Sequence, residues 1–208
     1  LATGGMDNMV KIWKPSAFGD MKDDMKAELV GKENDFMDGY ISDICFTSAS
    51  TALIASGDGT VSLWDVGAKK MVTCFRGFEG DVSSIGWLPC APGYFAAGST
   101  DRTVRVYDIK SGECTRVFQA VGEVDYVAMF PNGEAVGTAE KNESGKGGWN
   151  LFSIAGAANL GGGKMGGNSQ KQAESVAFSA SGELLVTVCR DTNHTVFVWR
   201  WRQAQLVG

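Results

Sequence analysis

Short runs in which apolar and polar residues alternate recur along this chain, each opened by a turn and closed by an aromatic residue. In the run 56–66, Gly57-Asp58-Gly59 makes the turn, Val61 and Leu63 alternate with Thr60 and Ser62, and Trp64-Asp65 closes it. Gly-Asp-Gly suits the positive-φ positions of a hairpin, and period-two alternation puts Val61 and Leu63 on one sheet face. One hairpin cannot bury that face, so it needs neighbours. The chain supplies them. Asp7 leads to Trp13, Asp58 to Trp64 and Asp101 to Tyr107, each over six residues. Asp191 leads to Trp199 over eight, and a weaker copy runs from Glu140 to Phe152 over twelve, with an insertion around 141–148.

A second pattern precedes each hairpin. Apolar residues at 41, 44 and 46 return at 82, 85 and 87, at 124, 127 and 129, and at 173, 176 and 178. These runs, small or β-branched at their crowded positions, predict the innermost strands of a radial arrangement. Middle strands are expected at 52–56, 94–98, 134–138 and 184–189, and outer ones near 27–30, 71–75, 114–118 and 203–207. The closing aromatics are 51 (13 to 64), 43 (64 to 107), 45 (107 to 152) and 47 (152 to 199) residues apart. A period in the forties closing on Trp-Asp is what a four-stranded propeller blade produces.

The chain therefore resembles the WD-repeat family, on residues spread along nearly its whole length. The fold expected is all-β: a WD-repeat β-propeller fragment of three to four complete four-stranded blades plus partial ones, from a seven-bladed propeller. Read as one incomplete domain over 1–208, it divides into a partial blade (1–34) and blades at 35–77, 78–119, 120–172 and 173–208. The strand pattern is already running at Leu1 and still forming at the other end, so an internal piece of a longer propeller is expected. The segment 155–172 holds six glycines and no periodicity, and is expected to be a mobile loop with at most a frayed outer strand.

Within that family the chain is similar to the β subunits of heterotrimeric G proteins. The likeness rests on GGMDN (4–8), GYISDICF (39–46), SGDGTVSLWDV (56–66), GDVSS (80–84), FPNG (130–133) and SVAFSASGELL (175–185). It implies a partner-binding surface for a GTPase α subunit at Met6 and Asn8 beside the first turn Asp, at Tyr40, at Asp81 and Glu123, and at Glu140. It also implies a γ subunit, gripped by a helix outside this chain, and a cytoplasmic location, reaching the inner face of the plasma membrane through partners. The chain departs from the family where a Gly-His usually precedes the inner strand: Met37, Phe78 and Val121 stand there. The hydroxyl four residues before the turn Asp is kept at Thr3 and Thr187, but Ile54 and Ala97 replace it elsewhere. Turn aspartates without those partners must find backbone amides or water.

Position alone gives a related reading of the surface. Tyr40, Asp81 and Glu123 each precede an equivalent inner strand, so they form a ring on one face. Such a ring suits a partner with basic and apolar groups, or its acids cap local turns. Both readings are open at this point.

Composition narrows the chemistry. Hydrophobic residues make up 44% and charged ones 21%, as in a folded globular chain, and the net charge of −5 offers nothing global to nucleic acid or an anionic membrane. Five widely spaced cysteines with no C-x-x-C pair argue against a disulfide framework and a zinc site, and no metal or cofactor is expected. Gly161-x-Gly163-x-x-Gly166 has the spacing of a dinucleotide fingerprint but no apolar-striped helix after it. His194, the only histidine, falls in a hairpin turn, and Trp199-Arg200-Trp201-Arg202 reads as the end of a strand with both arginines facing away. No catalytic constellation emerges. The expectation is a non-enzymatic interaction scaffold, G protein β-like, with another WD-repeat scaffold (kinase-receptor or ribosome-associated type, or a subunit of a larger complex) as the alternative.

Overall fold

The computed structural model describes residues 2–13, 27–30, 39–88, 91, 93–141, 147–164, 172–203 and 205–207. Its first sheet contains β1 (Ala2–Gly4), β2 (Val10–Trp13) and β3 (Ala27–Val30). The second holds β4 (Ile41–Phe46), β5 (Thr51–Ser56), β6 (Val61–Asp65) and β7 (Lys70–Phe75). The third is built from β8 (Val82–Trp87), β9 (Tyr94–Ser99), β10 (Thr103–Asp108) and β11 (Cys114–Gln119). The fourth comprises β12 (Glu123–Met129), β13 (Ala135–Lys141), β14 (Gly147–Ser153) and β15 (Ala158–Lys164). The fifth has β16 (Ala173–Phe178), β17 (Leu185–Cys189), β18 (Val196–Arg200) and β19 (Gln205–Leu206). Every sheet is an antiparallel meander in chain order. The first strands of the four-stranded sheets pack on one another, β4 on β8, β8 on β12 and β12 on β16, while β1 of the three-stranded sheet, the counterpart of a middle strand, packs on β4. This is the radial fan of a propeller, with β4, β8, β12 and β16 innermost.

Each of the four innermost strands carries the same irregularity. The register slips between Ile41 and Asp43, Val82 and Ser84, Val124 and Tyr126, and Ala173 and Ser175. A bulge there increases the local twist and turns the skipped residue away from the ladder. In two sheets the skipped residue is a serine that bonds the next blade: Ser42 Oγ donates to the Val82 carbonyl, and Ser83 Oγ to the Val124 carbonyl.

The core lies between blades. Leu53, Val61 and Phe75 of one sheet meet Val82, Phe95 and Tyr107 of the next, with Phe75 and Phe95 edge to face at 4.8 Å between centroids. Phe78, where the family's histidine is missing, packs its ring on Tyr107 at 6.1 Å and lies under the Arg105 guanidinium at 5.3 Å. Val121 does not do the same; its side chain is 73% exposed. The closing aromatics are anchored differently in each sheet. Trp199 Nε1 donates to Thr187 Oγ1 at 3.0 Å, as the retained hydroxyl allows. Where Ile54 has replaced that hydroxyl, Trp64 Nε1 turns to Ser62 Oγ at 2.8 Å. Tyr107 Oη donates to the Arg76 carbonyl at 2.8 Å, and burial pushes its pKa up to about 12.

Two expectations need correction, those for the glycine-rich segment and for Trp201. The glycine-rich segment is not simply a loop, because residues 158–164 form β15, paired along β14 from Ser153 to Gly148. Its glycines follow from a tight contact: a Cβ at Gly163 would lie 2.6 Å from Trp149 Nε1, and one at Gly162 2.3 Å from the Trp149 carbonyl oxygen. Residues 165–171 lie outside the described residues. The insertion around 141–148 lengthens a hairpin, adding the pairs Glu140↔Gly148 and Lys141↔Gly147, with 142–146 outside the description. Trp201 does not continue a strand but sits in a 3-10 turn, Trp201–Gln203, and the Arg202 guanidinium folds back over its ring at 5.0 Å. Gly161 and Gly163 of the fingerprint fall within β15, and Gly166 lies outside the described residues. His194 lies exposed in the β17–β18 turn with φ 45°.

Candidate protein-docking face

The segments that lead into β4, β8 and β12 all cross the same rim of the fan as the β1–β2, β5–β6, β9–β10 and β13–β14 hairpins. Each carries a glycine followed by a candidate contact: Gly39-Tyr40, Gly80-Asp81 and Gly122-Glu123. Close approach to the hairpin of the same sheet accounts for Gly39 and Gly80. A Cβ at Gly39 would lie 2.3 Å from Asp58 N, and one at Gly80 2.6 Å from Thr100 Oγ1. One residue on, the lead-in locks to the hairpin. Gly57 N donates to the Tyr40 carbonyl at 2.8 Å, and Thr100 N to the Asp81 carbonyl at 3.0 Å. The corresponding pair in the fourth sheet is Glu123↔Lys141. The fifth sheet repeats the lock with Arg190 N and the Gln172 carbonyl at 2.8 Å, which makes Gln172 a fourth equivalent position that the sequence reading did not single out.

Side chains then converge across blades. The Tyr40 ring lies against Gly57, where a Cβ would come within 2.4 Å of it, and its hydroxyl donates to Asp81 Oδ2 at 3.0 Å. Burial, followed by this bond and the carboxylate's charge, raises the Tyr40 pKa, while the charge of Lys141 works the other way. Lys141 was not among the expected site residues. Its Nζ lies 2.8 Å from Asp125 Oδ1 and 3.3 Å from Glu123 Oε2, and those contacts, the Asp125 hydrogen bond foremost, raise its pKa against the opposing effect of burial. It reaches them because the lengthened hairpin continues β13 to residue 141, opposite Glu123. Asp125 is the skipped bulge residue of β12; a carboxylate cannot donate to the next blade as Ser42 and Ser83 do, so it takes a lysine instead.

Met6 and Asn8 occupy the β1–β2 turn, Met6 with 84% of its surface exposed and Asn8 at φ 57°. Ile41 N donates to the Gly5 carbonyl at 3.0 Å, which holds this turn beside Tyr40. Glu140 stands apart. Only 3% exposed, it accepts from Val121 N at 3.0 Å, Gly122 N at 3.2 Å and Thr138 Oγ1 at 2.6 Å. The expectation that Glu140 meets a partner directly is corrected: its carboxylate faces inward and holds the loop that carries Glu123. The turn aspartates find amides, as their missing histidines require. Asp101 accepts from Glu79 N at 3.0 Å and Thr103 N at 2.8 Å, and Asp58 from Thr60 N at 3.0 Å. Exposed Val121 sits on the same rim, a large apolar residue in a turn otherwise made of small and acidic ones.

Among the described residues no group of His, Cys, Asp and Glu is arranged to hold a metal ion, and no helix is long and apolar enough to cross a membrane. The family described as "WD domain, G-beta repeat" matches residues 31–65 and 69–108, which hold β4 to β6 and β7 to β10. A guanine nucleotide-binding protein subunit beta of Arabidopsis thaliana is 33% identical over 59% of this chain and 32% of its own length. The protein of the same description from Oryza sativa subsp. indica is 28% identical over 100% of this chain and 56% of its own. Protein SPA1-RELATED 3 of Arabidopsis thaliana is 30% identical over 53% of this chain and 13% of its own. The chain thus spans about half the length, or less, of the curated β subunits it matches. Repeating hairpins, fanned sheets and matched repeats agree: the chain carries WD repeats in a β-propeller arrangement and resembles the guanine nucleotide-binding protein β subunits.

Proposed function

We propose that this chain is the docking portion of a non-enzymatic WD-repeat scaffold, and that its partner is the α subunit of a GTPase. Met6, Asn8, Tyr40, Asp81 and Glu123 make the contact, with Glu140 supporting the loop behind Glu123. The observation that carries the reading is the grouping of exposed Met6 with the Tyr40–Asp81 hydrogen bond on one rim. An apolar anchor beside an aromatic and a half-buried acid is the composition of an interface centre that grips a basic, partly apolar surface. In this reading residues 1–208 are one incomplete domain of a seven-bladed propeller. A γ subunit binds elsewhere on the longer protein, which works in the cytoplasm and reaches the inner face of the plasma membrane through its partners.

The test is calorimetric titration of the full-length protein with a purified α subunit in its GDP-bound and GTP-analogue-bound forms. Preferential binding of the GDP form is expected, and Asp81→Ala should weaken it by about 1–3 kcal/mol through the loss of a charge-assisted contact. Unchanged affinity in that variant removes Asp81 from the contact. A second reading, a WD-repeat scaffold for a different protein, is favoured by Lys141, which already occupies Glu123 and Asp125. Absence of α-subunit binding, with a captured partner set free of GTPases, selects it.

A further inference from the structure

The opposite rim carries a cavity of about 430 Å³, lined by Ser181, Gly182, Glu183, Arg200, Arg202 and Gln203. Its two walls are the β16–β17 turn and the 3-10 turn after β18. Both are braced. Gly182 N donates to the Ser179 carbonyl at 2.8 Å, Leu184 N to Ser179 Oγ at 3.1 Å, and Trp201 Nε1 crosses to the Gly182 carbonyl at 2.8 Å. Beneath them lies an aromatic floor, with Phe130 edge-on to Phe178 at 5.2 Å and to Trp201 at 5.8 Å. Arg200 and Arg202 are exposed at its mouth, and among the described residues neither guanidinium meets a carboxylate within salt-bridge distance. Among the described residues Arg202 is held by stacking on Trp201, which fixes the plane of its fork.

In a chain of net charge −5, a braced cavity lined by two arginines against one carboxylate, Glu183, is an anion-binding arrangement. We propose that this cavity binds the phosphate monoester of a polyol. The two guanidiniums match the two charges of the phosphate, and forked N–H donors suit its oxygens. Glu183 would repel a second anion but accepts hydrogen bonds from hydroxyls, as the Gln203 side chain also can, and the Ser181 hydroxyl adds a donor. The volume falls within the range of small-molecule sites and exceeds what a bare phosphate fills. This site is independent of the docking face, since the two lie on opposite rims.

Titration of the full-length protein with glycerol 3-phosphate, inorganic phosphate and glycerol tests the proposal. A second arm sediments the protein with phosphatidylcholine vesicles, with and without phosphatidylinositol 4-phosphate. Glycerol 3-phosphate should bind more tightly than inorganic phosphate, and glycerol not at all. Arg200→Gln and Arg202→Gln should each weaken binding about tenfold or more, the equivalent of losing one charge-assisted contact. Glu183→Gln should narrow the gap between glycerol 3-phosphate and inorganic phosphate. Both arginines are exposed, so thermal unfolding of the variants should match the parent. Arginine-dependent binding confined to the soluble phosphates identifies a free metabolite as the ligand, and arginine-dependent binding to the doped vesicles a lipid headgroup. Absence of binding in both arms, or binding that survives the double substitution, overturns the proposal.

Discussion

The third and fourth sheets meet the same mechanical demand with different residues. Each must tie its lead-in loop to its own middle hairpin, since that loop presents a rim residue. In the third sheet the tie is Asp101, in the hairpin turn, accepting from Glu79 N. In the fourth it is Glu140, inside β13, accepting from Val121 N and Gly122 N. The bulge residue changes too, from Ser83, which bonds the next blade, to Asp125, which takes Lys141. The closing aromatic changes from Tyr107, with a hydroxyl bonded to Arg76, to Phe152, which has none. A hairpin lengthened by two residue pairs moves the tie inward and frees a lysine to enter the acidic ring. The loop position is preserved while the charge of the rim is not.

The sharpest way to break this comparison is to remove the two ties separately. Glu140→Ala strands two amides and a threonine hydroxyl in a buried site, and should cost about 3 kcal/mol by the usual worth of buried charge-assisted hydrogen bonds. Asp101→Ala leaves groups nearer to water and should cost about 1–2 kcal/mol. Urea unfolding of the two variants measures the difference. Equal costs would mean that the inward shift of the carboxylate has no energetic meaning.

The closing aromatics offer a test at alkaline pH. Tyr107 is 1% exposed and titrates near 12, against about 10 for a free tyrosine. The unfolded chain therefore loses this proton first. Stability is unaffected below pH 10 and falls between about pH 10 and 12, by up to ~2–3 kcal/mol from this group. Tyr107→Phe, which makes the third sheet resemble the fourth, should cost about 1 kcal/mol at neutral pH and abolish that part of the alkaline loss. A variant with an unaltered alkaline profile would move the titration to another group.

These differences were unequally legible in the sequence. The strands were readable because hydrophobic alternation and turn chemistry act locally: β3, expected near 27–30, forms at Ala27–Val30. The ring of Tyr40, Asp81 and Glu123 followed from equal offsets to equivalent strands, although binding at those residues is a proposal. Residues 158–164 were not readable as a strand, because the reason for their glycines, the Trp149 ring beneath them, lies on another strand. Glu140 looked like a surface acid because nothing local distinguishes a buried carboxylate from a solvated one; its two amide partners are 18 and 19 residues away. Lys141 escaped for a related reason. Its role depends on whether an insertion loops out or lengthens a hairpin, and alternation does not decide that when Gly147 and Gly148 supply no pattern.

Lys141 gives the smallest effect on stability and the most informative one for the rim. With 30% of its side chain exposed and Glu123 at 41%, its bridges are solvent-screened, so Lys141→Met should cost at most about 1 kcal/mol. The raised lysine pKa sets the sign. The contribution is fully present below the ordinary lysine range and is lost as pH rises through the folded value, so parent and variant should converge only in strong alkali. Binding should respond in the other direction. Without Lys141, Glu123 and Asp125 are free to meet a basic partner, and affinity for the GDP-bound α subunit should rise by about threefold or more at low salt, fading as salt is added. An Asp125→Asn change in the same background should reverse part of that gain, because it removes one of the carboxylates Lys141 had neutralised. If affinity instead falls in Lys141→Met, the fourth sheet contributes its lysine to the partner, and the rim is read by charge of both signs.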